Sequence, residues 1–293
     1  MKLEQPEIQG YVQNILLAWQ PHLYVDGHNG GAPPYNIAYQ CPSHAAPHQA
    51  ITDLCNERIF PAIDRKLEAE GYSAFYYDVG RTETRWVTGG TDPRIGRNYG
   101  GFMNSVGILF ESPPGRQTLQ EAAHSGILAY EAVVEWSVEN ADLLMETVRN
   151  ARVEAIVQGS APEGRVPIEV EYEPYPETVT YTLLPRGQGM ADAEPIVVES
   201  DSLMIVPVAT LERDRPWAYV VPRDAESAIA LLQRHSIAVE RLQEDTEVQV
   251  QAYTVGDISY ERAYNHAAST RVHVDDVVTR TVTLPRGSYI VRT

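Results

Sequence analysis

The sequence predicts an α/β layer architecture over residues 1–152, followed by a β-rich domain over residues 153–293. Three observations carry this. Apolar residues recur at helical spacing in three stretches of the first half. Short apolar runs between those stretches have the length and composition of buried strands. After Arg152 the chain changes to β-branched runs separated by proline and glycine turns.

Ile8, Tyr11, Val12, Ile15, Leu16 and Trp19 line one face of a first helix, which Pro21 stops. Leu23, Tyr24 and Val25 then form a buried strand that opens at Asp26, Gly27, His28, Asn29, Gly30 and Gly31 into a flexible loop. A second helix runs from about His48 to Glu70, kinked or divided by Pro61 and closed by Gly71. A strand from Ser73 to Tyr77 follows. Residues Gly80 to Asn104 are rich in glycine, arginine and threonine with neither periodicity, and a loop of that length inside a domain is usually functional. Val106 to Phe110 is an apolar run ending at Glu111, and Ser112, Pro113, Pro114 and Gly115 break the chain. A long amphipathic helix then extends from about Thr118 to Asn150. Elements in this order predict part of a mixed, mostly parallel sheet flanked by helices. In the second region the runs Ile168 to Tyr172, Thr178 to Leu184, Leu203 to Val208, Glu247 to Tyr253 and Val277 to Leu284 read as strands. One helix, from about Asp224 to His235 with Asp224 as N-cap, interrupts them.

Composition bounds the function. At 293 residues and 43% hydrophobic the chain can bury a sizeable core. A formal charge of -17 opposes nucleic acid as a partner, since phosphate binding needs concentrated Lys and Arg. No apolar run is long enough to span a membrane. The two cysteines, Cys41 and Cys55, do not have zinc-finger spacing. They read as free thiols, with Cys55 a small hydrophobe on a helix face, or as one bridge.

His28 and Glu111 each end an apolar strand at its carboxyl end, the edge where open α/β sheets bind ligands. A neutral imidazole can ligate a metal, and a carboxylate beside it can take and return a proton. Arg81, Arg85, Arg94, Arg97 and Tyr99 are loop groups that could meet a peptide carboxylate or an oxyanion, of which Arg97 and Tyr99 are taken as substrate-binding candidates. His44 and His48 are four apart, but Pro47 disfavours a helical metal pair between them.

The order of these pieces resembles the zinc carboxypeptidase family. Val25, Asp26, Gly27 and His28 are similar to the Asp-x-His that carries that family's histidine zinc ligand. Asn104 to Ser112 resembles the strand ending in its catalytic glutamate, here Glu111, and the helix from Thr118 resembles the last helix of its catalytic domain. The region after 152 is similar to a β-rich extension found in a bacterial branch. The resemblance implies a zinc hydrolase that removes C-terminal residues from peptides, with His28 a metal ligand and Glu111 the general base and acid. A deacylase of N-acylated amino acids in the same superfamily and a noncatalytic peptide-binding or structural module are the alternatives. None of the eight histidines is followed three positions on by glutamate, so the family's His-x-x-Glu ligand pair is missing. His273 to Asp276 is a His-x-x-Asp far downstream in the β-rich region. The stretch Met1 to Glu7 resembles the segment that follows the family's carboxylate-binding Asn-Arg. The resemblance therefore implies that Met1 is internal to a longer reading frame, with zinc bound weakly or not at all by these 293 residues and no peptidase activity in them alone.

Overall fold

The structure is a computed structural model that describes residues 3–31, 33–113, 117–184, 193–260 and 270–293. Met1, Lys2, Pro114 and Gly115 lie outside the described residues. The chain divides into two compact units, Met1–Trp217 and Ala218–Thr293.

In the first unit, α1 (Pro6–Tyr11) passes through a π turn (Val12–Leu16) into α2 (Leu17–Trp19). Strands β1 (Leu23–His28) and β2 (Ile37–Gln40) follow, then α3 (Gln49–Leu54), a second π turn (Cys55–Ile59) and α4 (Phe60–Ala69). Next come β3 (Ala74–Tyr76), β4 (Gly80–Arg81), β5 (Trp86–Val87), α5 (Gly96–Phe102), β6 (Val106–Glu111), α6 (Leu119–Glu139) and α7 (Ala141–Ser160). The unit ends with β7 (Arg165–Pro174), β8 (Val179–Leu183), β9 (Ile196–Ser200) and β10 (Leu203–Asp214). The second unit holds β11 (Ala218–Val221), α8 (Glu226–Arg234), β12 (Glu240–Arg241), β13 (Thr246–Tyr260), β14 (Thr270–Leu284) and β15 (Tyr289–Arg292).

The fold is mixed α/β. Its site-bearing sheet has the order β1-β6-β2-β3, with β1 and β6 parallel, β2 and β3 parallel, and an antiparallel pairing between β6 and β2 at its centre. Alternation along these strands separates two faces. Ile37, Tyr39, Val106, Ile108 and Phe110 point into a core completed by α3, α4, α6 and α7, where Phe60, Ile63, Leu128, Ala132 and Val148 are buried. Tyr39 stacks on Phe60 with ring centroids 3.9 Å apart. The other face carries Ala38, which joins Tyr35, Trp86, Tyr181, Leu183, Val198 and Leu203 in a second core.

That second core bears on where the domain boundary falls. Sequence character places it near 152, but residue 152 is inside α7, and β10 pairs in parallel with β5 through Leu203 to Trp86 and Met204 to Val87. Trp86 is fully buried and meets Phe75 edge-on at 4.9 Å and Tyr181 at 5.1 Å. Burying such side chains is worth roughly 2–3 kcal/mol each, so the first four strands after α7 stay with the first unit and the division falls after Trp217.

Other expectations shift for local reasons. The long helix is two helices: the Thr118 hydroxyl accepts the Glu121 backbone N–H in a capping box, and Asn140 (φ -119°, ψ 30°) breaks the run before α7. The Gly80–Asn104 loop contains β4, β5 and α5. Gly96, Gly100 and Gly101 hide α5 from a propensity reading, yet a Cβ on Gly100 would stand 2.6 Å from the Tyr24 hydroxyl and one on Gly101 2.7 Å from Pro42. Pro61 sits in the first turn of α4, and the preceding π turn, in which the Phe60 N–H bonds the Cys55 carbonyl, takes up the irregularity. Ala225 rather than Asp224 is the N-cap of α8, without a side-chain cap. Cys41 and Cys55 are not free thiols: they form a disulfide, because the turn after β2 brings their Cα atoms to 6.2 Å.

Candidate functional site at the edge of the sheet

Parallel pairing of β1 with β6 runs in register from Leu23 opposite Val106 to His28 opposite Glu111. Both strands therefore end at one edge, and the two candidate residues are neighbours across it. Asp26 is two residues before His28 and shares its face, as Leu109 shares that of Glu111. These four side chains form one wall of a cavity of about 300 Å³. Tyr77, Val79, Gly89, Gly90, Ile95, Gly96 and Arg97 complete it. The segment read as a functional loop thus borders the site. A groove of about 600 Å³ lies along α7, lined by His22, Asp142, Met145 and Arg149 among others. It contains neither strand-end candidate.

His28 is half-exposed, and its Nε2 lies 3.1 Å from Asp26 Oδ1. Glu111 is only 9% exposed. Burial pushes its carboxyl above the usual range, the His28 ring and the Gly30 backbone N–H pull against that rise, and Asp26 adds to it. Glycines make room. A Cβ on Gly30 would be 2.7 Å from Glu111 Oε2, and one on Gly31, at φ 115°, would be 3.0 Å from Glu111 Cβ and 3.2 Å from Ala38 Cβ. The Gly-rich turn after β1 therefore wraps the carboxylate closely. Gly27 faces α6, where any Cβ would collide with the Tyr130 hydroxyl at 2.1 Å.

Arg97 enters the cavity from α5, whose approach to β6 depends on Gly107: a Cβ there would be 2.8 Å from the Arg97 carbonyl oxygen. Asn98 fixes the helix. It accepts the Ser43 N–H at 2.7 Å and donates to the carbonyls of Gly90 and Asp92. Tyr99, two residues on from Arg97, is half-buried near Tyr24 and does not line the cavity. Arg81 and Arg94 form ion pairs with Asp78 and Asp92, and Arg85 is exposed. His44 accepts the Ala46 N–H, while His48 caps α3 and its Nε2 meets Glu154 at 2.9 Å. His273 lies on β14, in the second unit.

Sequence reasoning did not single out Asp26 as a partner of His28, or Tyr77. The i, i+2 spacing of Asp26 and His28 on a strand was the available signal; Tyr77 followed an apolar strand as Glu111 does. A catalytic zinc takes about three protein ligands. The cavity offers one imidazole, and no group of three His, Cys, Asp or Glu is placed to hold a metal among the described residues. These residues do not by themselves fit a catalytic zinc. What they can do is move a proton, through a carboxylate made more basic by burial.

The chain is 22% identical to "Probable carboxypeptidase 2" of Trichophyton verrucosum (strain HKI 0517), over 96% of this chain and 56% of that protein. It is also 22% identical to "Probable carboxypeptidase 2" of Arthroderma benhamiae (strain ATCC MYA-4681 / CBS 112371), over 96% of this chain and 55% of that protein. "Carboxypeptidase 2" of Trichophyton tonsurans is 24% identical over 70% of this chain and 37% of its own length. The chain spans about half the length of the curated relatives that match nearly all of it. No family model and no solved structure matches it. These distant relatives are all named as carboxypeptidases. No helix among the described residues is long and apolar enough to cross a membrane.

Proposed function

We propose that the edge formed by β1 and β6 is part of the active site of a carboxypeptidase-type hydrolase that acts on the C-terminal amide bond of a peptide. The observation that carries this is the in-register juxtaposition of His28 and Glu111 at the carboxyl ends of parallel strands. Glu111 is the general base: held by the Gly30 N–H and raised in basicity by burial, it takes a proton from the attacking water and returns it to the leaving amine. Asp26 orients the His28 imidazole through its contact with Nε2. Zinc is the metal implied by the resemblance, and His28 would be one of its ligands, with others required from residues outside this cavity. A noncatalytic peptide-binding module is the second reading, favoured by the absence of a three-donor group among the described residues.

The test is release of the C-terminal amino acid from N-acylated dipeptides by the full-length protein, with zinc supplied, in wild type and Glu111→Gln. Glutamine keeps the shape and the acceptor for Gly30 but cannot take the proton, so turnover falls at least about 100-fold with the unfolding midpoint retained. Equal turnover in the two proteins removes Glu111 as base. No turnover in wild type, with the peptide still bound, selects the noncatalytic module.

A further inference from the structure

Arg97 is a buried cation that pairs with no carboxylate among the described residues. It is 3% exposed. Its Nη2 donates to the Gly90 carbonyl at 2.8 Å, and its other polar neighbours are the phenols of Tyr172 and Tyr77. Its Nε is buried with no hydrogen-bond partner among the described residues. Leaving a charged group in this state is costly unless an anion completes it, and a guanidinium is shaped to receive a carboxylate on two N–H groups. Neither carboxylate of the cavity does so: Glu111 interacts with His28, Gly30 and Asp26, and Asp26 with His28. The cavity therefore has an acidic end at Asp26, His28 and Glu111 and a basic end at Arg97. Tyr77 senses both, its phenol pushed up by burial and by the Glu111 charge and pulled down by Arg97. Between the ends, Val79, Ile95 and Leu109 give apolar wall, and about 300 Å³ suits a group the size of one amino-acid residue.

We propose that Arg97 is the anion site of this cavity and binds a carboxylate of the substrate residue seated there, fixing that residue's position relative to Glu111. The proposal rests on the hydrolase reading for the identity of the substrate, while the anion site itself is measurable without turnover. The carboxylate is either the α-carboxylate of a chain end or the side-chain carboxylate of an acidic residue. Both would place apolar stem against the walls and charge against the guanidinium. Asn98, which anchors α5 to Ser43 and to the Gly90 turn, makes the platform rigid enough to hold the charge in place.

The experiment is NMR titration of wild type, Arg97→Gln and Arg97→Lys with three probes. N-acetyl-leucine carries an α-carboxylate, N-acetyl-glutamic acid α-amide a side-chain carboxylate, and N-acetyl-leucinamide neither. Wild type is expected to bind one of the two acids at least about 10-fold more tightly than the amide, as a charge-assisted pair requires. Which acid wins identifies the source. In Arg97→Gln that preference disappears with amide affinity unchanged; in Arg97→Lys a reduced preference survives. Equal affinity of wild type for all three probes overturns the proposal, as does a preference that persists in Arg97→Gln. Should Arg97→Gln not fold, the wild-type preference and its reduction in Arg97→Lys decide. Glu111→Gln separates the two ideas: acid preference without turnover sinks only the hydrolase, and Glu111-dependent turnover without acid preference sinks only the anion site.

Discussion

Replacing Asp64 by asparagine is expected to stabilise the protein at neutral pH. Asp64 lies on α4, half-buried, with both carboxylate oxygens 3.1 Å from the Tyr39 hydroxyl that donates to them. Burial pushes its pKa from 3.8 up to about 6, and the Glu68 charge adds to the rise, while the Tyr39 hydrogen bond and Arg65 oppose it. Because the folded state holds the proton more tightly than the unfolded chain, the contribution of this group is most favourable below pH 3.8 and is lost as pH rises through about 6. The displacement corresponds to about 3 kcal/mol once the group is ionised in both states. Asparagine keeps an acceptor for Tyr39 and never ionises. Urea unfolding should therefore show Asp64→Asn more stable than wild type by about 3 kcal/mol at pH 7.5, shrinking to about 1 kcal/mol at pH 4.5. An advantage that is absent at pH 7.5, or of the same size at both pH values, would refute the argument.

Removing the Cys41–Cys55 bridge by a double alanine substitution should cost about 3 kcal/mol, since it frees a loop of 14 residues in the unfolded chain; denaturant midpoints with and without reductant measure it. Gly31→Ala should destabilise by about 1–3 kcal/mol, because φ is 115° and the new methyl meets Glu111, Ala38 and Pro113 within 3.3 Å. Gly126→Ala, in the middle of α6 with open space around it, should stabilise by about 1 kcal/mol. Thermal scans of the two glycine variants side by side test whether close packing or generic helix propensity governs the difference.

The candidate edge was legible because its signals are local. Glu111 directly follows an uninterrupted apolar run and would be costly to bury alone, while His28 stands out only through the Asp26-Gly27-His28 turn that closes the shorter run Leu23 to Val25. Their adjacency is a tertiary fact that only the β1–β6 pairing supplies. The disulfide was hidden for the same reason, since nothing in a spacing of 14 residues shows that a turn folds Cys41 back onto the second helix. Which sheet a late strand joins was not legible, because strand composition does not show it, and β10 reaches back more than a hundred residues to β5. Arg97 stood among four similar candidates in sequence. Burial distinguishes it, through α5, a helix whose glycines argue against helix when read alone.

The π turn at Val12–Leu16 bears on how this chain is aligned with any relative. Each residue of an α-helix advances about 100° around the axis, and the i→i+5 bonding of a π turn absorbs one extra residue. The periodic face expected to bury Ile15 and Trp19 is accordingly broken there: Val12 and Leu16 are buried, while Trp19 is 81% exposed. A relative lacking one residue in this segment would close the turn to a regular α-helix, and the side chains on either side of the gap would keep their facing. An alignment gap at this position thus records the closing of a π turn inside a continuous helix, and residue-by-residue correspondence resumes in phase on either side of it.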